Sequence, residues 1–170
     1  PLTAPTPLPY RPVSRQHSKR LSIEYDHPER RLDEETLRAL VRHVLAEEGA
    51  SLVHLTVVLS GHSTVRALNV SYLSHDYNTD VLSFSLRSSA PAFPPESGTP
   101  PDDSAVEGEV YVDLDTAAER HTEFETSFKA EAYRYVVHGV LHLVGYDDAT
   151  EAAQATMRPR EAKYPPPPAP

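Results

Sequence analysis

Cysteine is absent from these 170 residues, so disulfides and thiolate metal sites are excluded. Any bound cation must be held by nitrogen and oxygen donors. No apolar run approaches the roughly 20 residues that cross a bilayer, so no transmembrane helix and no membrane partner are expected. The opening stretch PLTAPTPLPYRPVSRQHSKR lacks the apolar core of a secretory signal, and a cytoplasmic location is the expectation. Positive charge is short as well: 16 Lys and Arg face 25 Asp and Glu, a formal net charge of −9. A body of that sign repels phosphates, which excludes nucleic-acid binding through the whole surface. It leaves room for a nucleic-acid enzyme with a local basic or metal-centred cleft, and it equally suits a high-salt environment. Internal repeats are also missing.

What is present fits one domain with a single buried core, at 39% hydrophobic residues. Seventeen prolines mark its edges. Residues 1–19 and 164–170 read as proline-rich tails, with the folded domain over 20–163. Residues 88–106, SSAPAFPPESGTPPDDSAV, read as a mobile loop inside that domain, because neither flank is long enough to fold alone.

Periodicity assigns the rest. LSIEY (21–25), LVHLTVVLS (52–60), DVLSFSL (80–86) and GEVYVDL (108–114) read as strands. LDEETLRALVRHVLAEEG (32–49) reads as an amphipathic helix with Leu37, Leu40, Val41, Val44 and Leu45 inward. STVRALNVSYL (63–73) reads as a second helix with Val65, Leu68 and Tyr72 inward. A long helix spans 127–145, with Phe128, Val136, Val140, Leu141 and Val144 as core candidates. A last polar helix follows, interrupted near Pro159. The order β-α-β-α-β-β-α-α implies an α/β (α+β) domain: a small mixed four-stranded sheet packed against helices.

The long helix ends in HGVLHLVGYDD (138–148). His138 and His142 stand four residues apart, so both imidazoles project from one helical face about a turn apart. That spacing lets them share one ion without bending the backbone. Gly145 can adopt the left-handed conformation that ends a helix, and the returning chain can then offer the Asp148 carboxylate. Two imidazoles and a carboxylate leave one position for water, the arrangement of a catalytic zinc. Gly139 costs helix stability, about 0.5–1 kcal/mol relative to alanine. Close approach of substrate or tight packing against neighbouring backbone would account for it equally well. The frame H-x3-H-x2-G-x2-D equals that of the metzincin proteases. Those enzymes need glutamate directly after the first histidine as general base, and here that position is Gly139.

HGVLHLVGYDD resembles the signature H-G-x-L-H-L-x-G-Y-D-H of the YbeY endoribonucleases, at every specified position but the last. LNVSYLSHDYNTDVLSFSL is similar to the family's L-N-x-x-Y-R-x-x-D-x-x-T-D-V-L-S-F block, GEVYVDL to its G-D-I-x-I strand and MRPRE to its C-terminal M-x-x-x-E. The likeness covers about 23–161. It implies a metal-dependent, single-strand-specific endoribonuclease acting in rRNA maturation and ribosome quality control. The expected cofactor is one Zn2+, or another divalent metal, on His138, His142 and Asp148. The expected partners are single-stranded RNA, rRNA, and the ribosome or a ribosomal protein.

Two departures stand out. Asp148 replaces the family's third metal-binding histidine; an anionic donor makes a bound water less acidic and favours harder metals. Leu73 replaces an arginine thought to meet the RNA phosphate. His75 is the candidate to assist in its place, and Arg66, Arg87 and Arg134 are candidate substrate contacts. Arg134 pairs equally well with Glu131, and the other two can simply be solvated. Asp147 is expected to stabilise the turn or to orient a ligand from outside the coordination sphere. Thr79 and Asp80 are expected to shape the loop at the cleft. Two other functions stay open: a metallopeptidase on the same frame, and a non-catalytic ribosome-assembly factor with a structural metal.

Overall fold

Leu37, Leu40, Val41, Val44 and Leu45 recur at the spacing of one helical face, and all five are buried in helix α1, Glu34–Glu47. Asp33 starts it, its carboxylate accepting from the Thr36 N–H, a capping bond that satisfies an otherwise unpaired amide. The computed structural model describes residues 20–87 and 104–167. α1 joins strand β1 (Leu21–Tyr25) to β2 (Ser51–Ser60), and the two strands pair in parallel, which requires a crossover of this kind. β2 is buried without interruption from Leu55 to Ser60, the signature of a strand flanked by neighbours and covered on both faces.

Helix α2 (His62–Leu73) follows, then β3 (Val81–Ser85) and β4 (Ala105–Asp113). The sheet order is β1-β2-β4-β3; β4 is parallel to β2, and β3 lies antiparallel at the edge. This is the mixed four-stranded sheet that the strand and helix order implies. The alternation in β4 turns Val106, Gly108, Val110 and Val112 inward and leaves Glu107, Glu109 and Tyr111 partly exposed.

Helix α4, Phe128–Val144, lies across β3 and β4 and also touches α1, a short helix α3 (Leu114–Arg120) and α5 (Glu151–Ala162). Its Val136, Val140 and Leu141 are fully buried, and Phe128 and Val144 pack at the margin. Gly139 is where the helix meets the sheet. A Cβ there would lie 2.5 Å from Val110 Cγ1 and 2.9 Å from Val81 Cγ2, and the Ser83 hydroxyl donates to the Gly139 carbonyl at 2.8 Å. Tight packing, not substrate access, therefore accounts for this glycine. Gly139→Ala is expected to cost about 1–3 kcal/mol through overpacking; urea denaturation reads it, and an unchanged midpoint would show that α4 has room to move.

Several boundaries differ from the sequence reading. Leu114 opens α3 instead of closing a strand, and α3 continues into a 3-10 turn, His121–Phe124; short polar helices of this kind carry too few apolar positions to show a period. β4 begins at Ala105, inside the stretch assigned to a loop; the rest of that loop, 88–103, and the tail 1–19 lie outside the described residues. α5 runs through Pro159 without a break. Tyr164, assigned to a tail, is buried, and its hydroxyl donates to Glu48 at 2.6 Å. Tyr72 is 69% exposed instead of inward, because α2 buries only Val65 and Asn69 fully.

Candidate metal centre

Ser127 caps the start of α4, accepting from the Ala130 N–H. Gly145 ends the helix at φ +125°, its N–H donating to the carbonyls of Leu141 and His142. A side chain at that φ is strained, so glycine fits the position. The chain then turns back. Asp147 accepts from the Asp148 and Ala149 amides at 2.8 and 3.2 Å, and the Asp148 carbonyl accepts from the Gln154 side chain at 2.9 Å. Further in, the Tyr146 hydroxyl donates to Glu48, the buried carboxylate that also receives Tyr164. Asp147 thus builds the turn, and the turn delivers Asp148.

His138 Nε2 and His142 Nε2 lie 3.0 Å apart. Asp148 Oδ2 is 3.1 Å from the first, and Oδ1 is 3.4 Å from the second. Zinc–donor distances of about 2.0–2.1 Å at a tetrahedral angle put ligands roughly 3.3 Å apart. The three groups therefore fit a single cation with little adjustment. All three are only partly buried, so solvent or substrate can reach the remaining coordination position.

On its other side, His138 Nδ1 is 3.0 Å from Glu161 Oε1 on α5. An Nδ1–H donated to that carboxylate leaves the Nε2 lone pair facing His142 and Asp148, which fixes the tautomer a metal needs. Burial pushes the imidazole toward its neutral form. The Glu161 hydrogen bond, with the charges of Glu161, Asp148 and Asp80, outweighs burial and holds the pKa above the ordinary histidine value. Arg134, one turn earlier on α4, contacts buried Glu131 at 2.5 Å and Glu161 at 3.7 Å, so it braces the same carboxylate. Spacing did not single out Glu161, which sits 23 positions from His138; the only signal was its place in MRPRE.

The other candidates fare differently. Arg134 comes to the site; Arg66 pairs with Asp76 at 2.8 Å on the surface, and Arg87 donates to the Ala105 carbonyl at 2.9 Å. His75 stacks on Tyr77, ring centroids 5.2 Å apart, and is exposed. No contact among the described residues joins Arg66, Arg87 or His75 to His138, His142 or Asp148.

A second histidine–carboxylate group, His62, Asp113 and Asp115, also lies close together. Its atoms are engaged with one another and their neighbours. Asp113 caps α3, accepting from the Asp115 and Thr116 amides, the Thr116 hydroxyl and His62 Nδ1. Asp115 is met by His27 Nε2 at 2.8 Å and the Arg30 guanidinium at 2.7 Å. Arg30 and His27 already neutralise Asp115, and amides, a hydroxyl and His62 take up Asp113, so this group reads as a structural latch between α2, α3 and the 27–30 loop.

The family model described as Endoribonuclease YbeY matches residues 22–165. A protein of that name from Salinibacter ruber is 62% identical over 149 residues, covering 88% of this chain and 92% of its own. Another from Chlorobium phaeovibrioides is 36% identical over 145 residues, covering 85% and 88%. The solution structure of TM1509 from Thermotoga maritima superposes with a TM-score of 0.55 at 26% identity, over 85% of each chain.

Proposed function

The chain belongs to the YbeY endoribonuclease family, and from that premise we propose that His138, His142 and Asp148 hold one Zn2+ at which single-stranded RNA is cut. The observation that carries this reading is the convergence of two imidazole nitrogens and a carboxylate oxygen at coordination spacing. The cation, when bound, polarises a phosphoryl oxygen and makes water more acidic. The protein's own residues do the rest. Glu161 fixes the His138 tautomer, Arg134 braces Glu161, and the Asp147 turn presents the third ligand. Ser83 pins the Gly139 carbonyl and so holds α4 against the sheet.

The substrate we propose is ribosomal RNA, in maturation and quality control, with the ribosome as partner and the cytoplasm as location. Among the described residues no helix is long and apolar enough to cross a membrane. A peptidase using the same frame would lack its base, because Gly139 follows His138 and is packed against Val110 and Val81.

Protein purified without nickel and analysed for metals should carry one zinc per chain. It should cut a single-stranded RNA oligonucleotide, leave casein intact, and lose activity on chelation. Casein cleavage without RNA cleavage would reverse the assignment, and a metal-bound protein cutting neither would support a structural metal.

A further inference from the structure

A polar recess of about 260 Å3 is lined by His62, Asn78, Thr79, Asp80, Thr116, Glu119 and Arg120; Glu119 is taken up by His62 Nε2 at 2.9 Å, which leaves Asp80, among the described residues, as the carboxylate without a charged partner there. The recess falls below the roughly 300–1,000 Å3 of sites that take drug-sized molecules and suits one planar ring system. Its link to the metal centre is structural. Asp80 immediately precedes Val81, which packs on Gly139, the residue after His138. On the far side, the Arg120 guanidinium carbon lies 5.3 Å from the Phe124 ring centroid, and that of Arg134 lies 5.5 Å from the same ring. Arg134 in turn sits one turn before His138. Through Asp80–Val81 and through Arg120–Phe124, the recess is thus connected to α4, the helix that carries His138 and His142.

We propose that this recess takes one base of the RNA strand, and that Asp80 with Asn78 selects guanine. The inference rests on the nuclease reading and specifies how that site chooses its substrate. Single-stranded RNA is read by bases splayed out, stacked on aromatic or guanidinium planes and hydrogen-bonded along their Watson–Crick edge. A carboxylate only accepts hydrogen bonds, and guanine is the base whose edge offers two adjacent donors, N1–H and the N2 amino group. The Asn78 amide supplies a donor for O6. Adenine, cytosine and uracil each place at least one acceptor against the carboxylate.

Arg120 furnishes the stacking plane. Its pairing with Glu123 at 3.3 Å is between exposed groups, and such pairs hold weakly. The half-exposed Phe124 ring carries the guanidinium groups of both Arg120 and Arg134. In a chain of net charge −9, stacking and edge recognition supply affinity that phosphate contacts do not.

The test uses the zinc-loaded full chain and short single-stranded RNAs that differ in one base beside the cut bond, following binding by fluorescence anisotropy and cleavage in parallel. The guanine strand should bind about tenfold more tightly than the other three, the order of discrimination of one bidentate contact. Asp80→Asn should erase that preference, because the amide offers a donor to the acceptors of the other bases as readily as an acceptor to guanine. Asn78→Ala, an independent variant, should reduce the preference. Equal binding of all four by the parent, or a guanine preference that survives in Asp80→Asn, overturns the inference. Cleavage of every strand without preference sinks the base site alone. Guanine-selective binding without cleavage of any strand sinks the nuclease reading alone, and failure to bind any strand sinks both.

Discussion

His142→Ala should leave a folded protein that no longer retains zinc, with RNA cleavage reduced at least about 1,000-fold, or more than about 4 kcal/mol of barrier. The expectation follows from what His142 does and does not touch. Its Nε2 meets His138 and Asp148 at 3.0 and 3.4 Å, while its neighbours Leu141 and Val140 carry the packing. Removing the ring therefore takes one of three donors and almost none of the core. Two remaining donors cannot hold the ion against solvent, so the loss should far exceed the 10–100-fold typical of groups outside the coordination sphere. Asp148→His, which restores an imidazole donor, should keep the zinc. Metal content after dialysis, together with circular dichroism, reads both variants. A His142→Ala protein that still binds one zinc tightly would show that the ligands lie elsewhere.

The second large effect lies away from the metal. Asp113→Ala should destabilise the fold by about 3–5 kcal/mol, the cost of breaking a buried ion pair and leaving its donors unpaired. Asp113 is fully buried, and four donors converge on it, the shortest being His62 Nδ1 at 2.6 Å. Against a total stability of roughly 5–15 kcal/mol the loss is a large fraction.

This effect should also depend on pH. Burial pushes the His62 imidazole toward neutrality, but hydrogen bonds to Glu119 and Asp113, with their charges, raise its pKa above the ordinary value. The other charged groups of the cluster are Asp115, whose Oδ2 accepts from the His62 amide, and beyond it His27 and Arg30. A pKa raised on folding adds stability that is fully present below the unfolded value of about 6.5 and is lost as pH rises through the folded value. The difference between parent and variant should therefore be larger at pH 6 than at pH 9. Urea denaturation at both pH values measures it; a difference below about 1 kcal/mol at pH 6 would mean that water replaces the carboxylate.

The three proposed metal ligands were legible as a group because they are local. Two histidines one helical turn apart, a helix-ending glycine and a carboxylate three residues later are all within one stretch of eleven residues. The strands and the long helices were legible for the same reason, since burial on one face imposes a period of two or of 3.6 on the residues themselves. Tyr72 and Tyr164 were not, because exposure of the first and burial of the second depend on which surface lies opposite. α3 was missed because its cap, Asp113, looks like any strand-ending polar residue until His62 is seen 51 positions away.

The amino-acid order alone determined the fold class, the family and the three candidate donors for a cation, since each is written in short-range spacing. Only the tertiary structure decided that Glu161 orients His138, that Arg134 belongs to the site while Arg66, Arg87 and His75 stand apart, and that Gly139 is a packing contact. Those assignments depend on distances between segments far apart in the chain, and such distances are set by how α4 and α5 dock on the sheet and on each other, which no local pattern encodes.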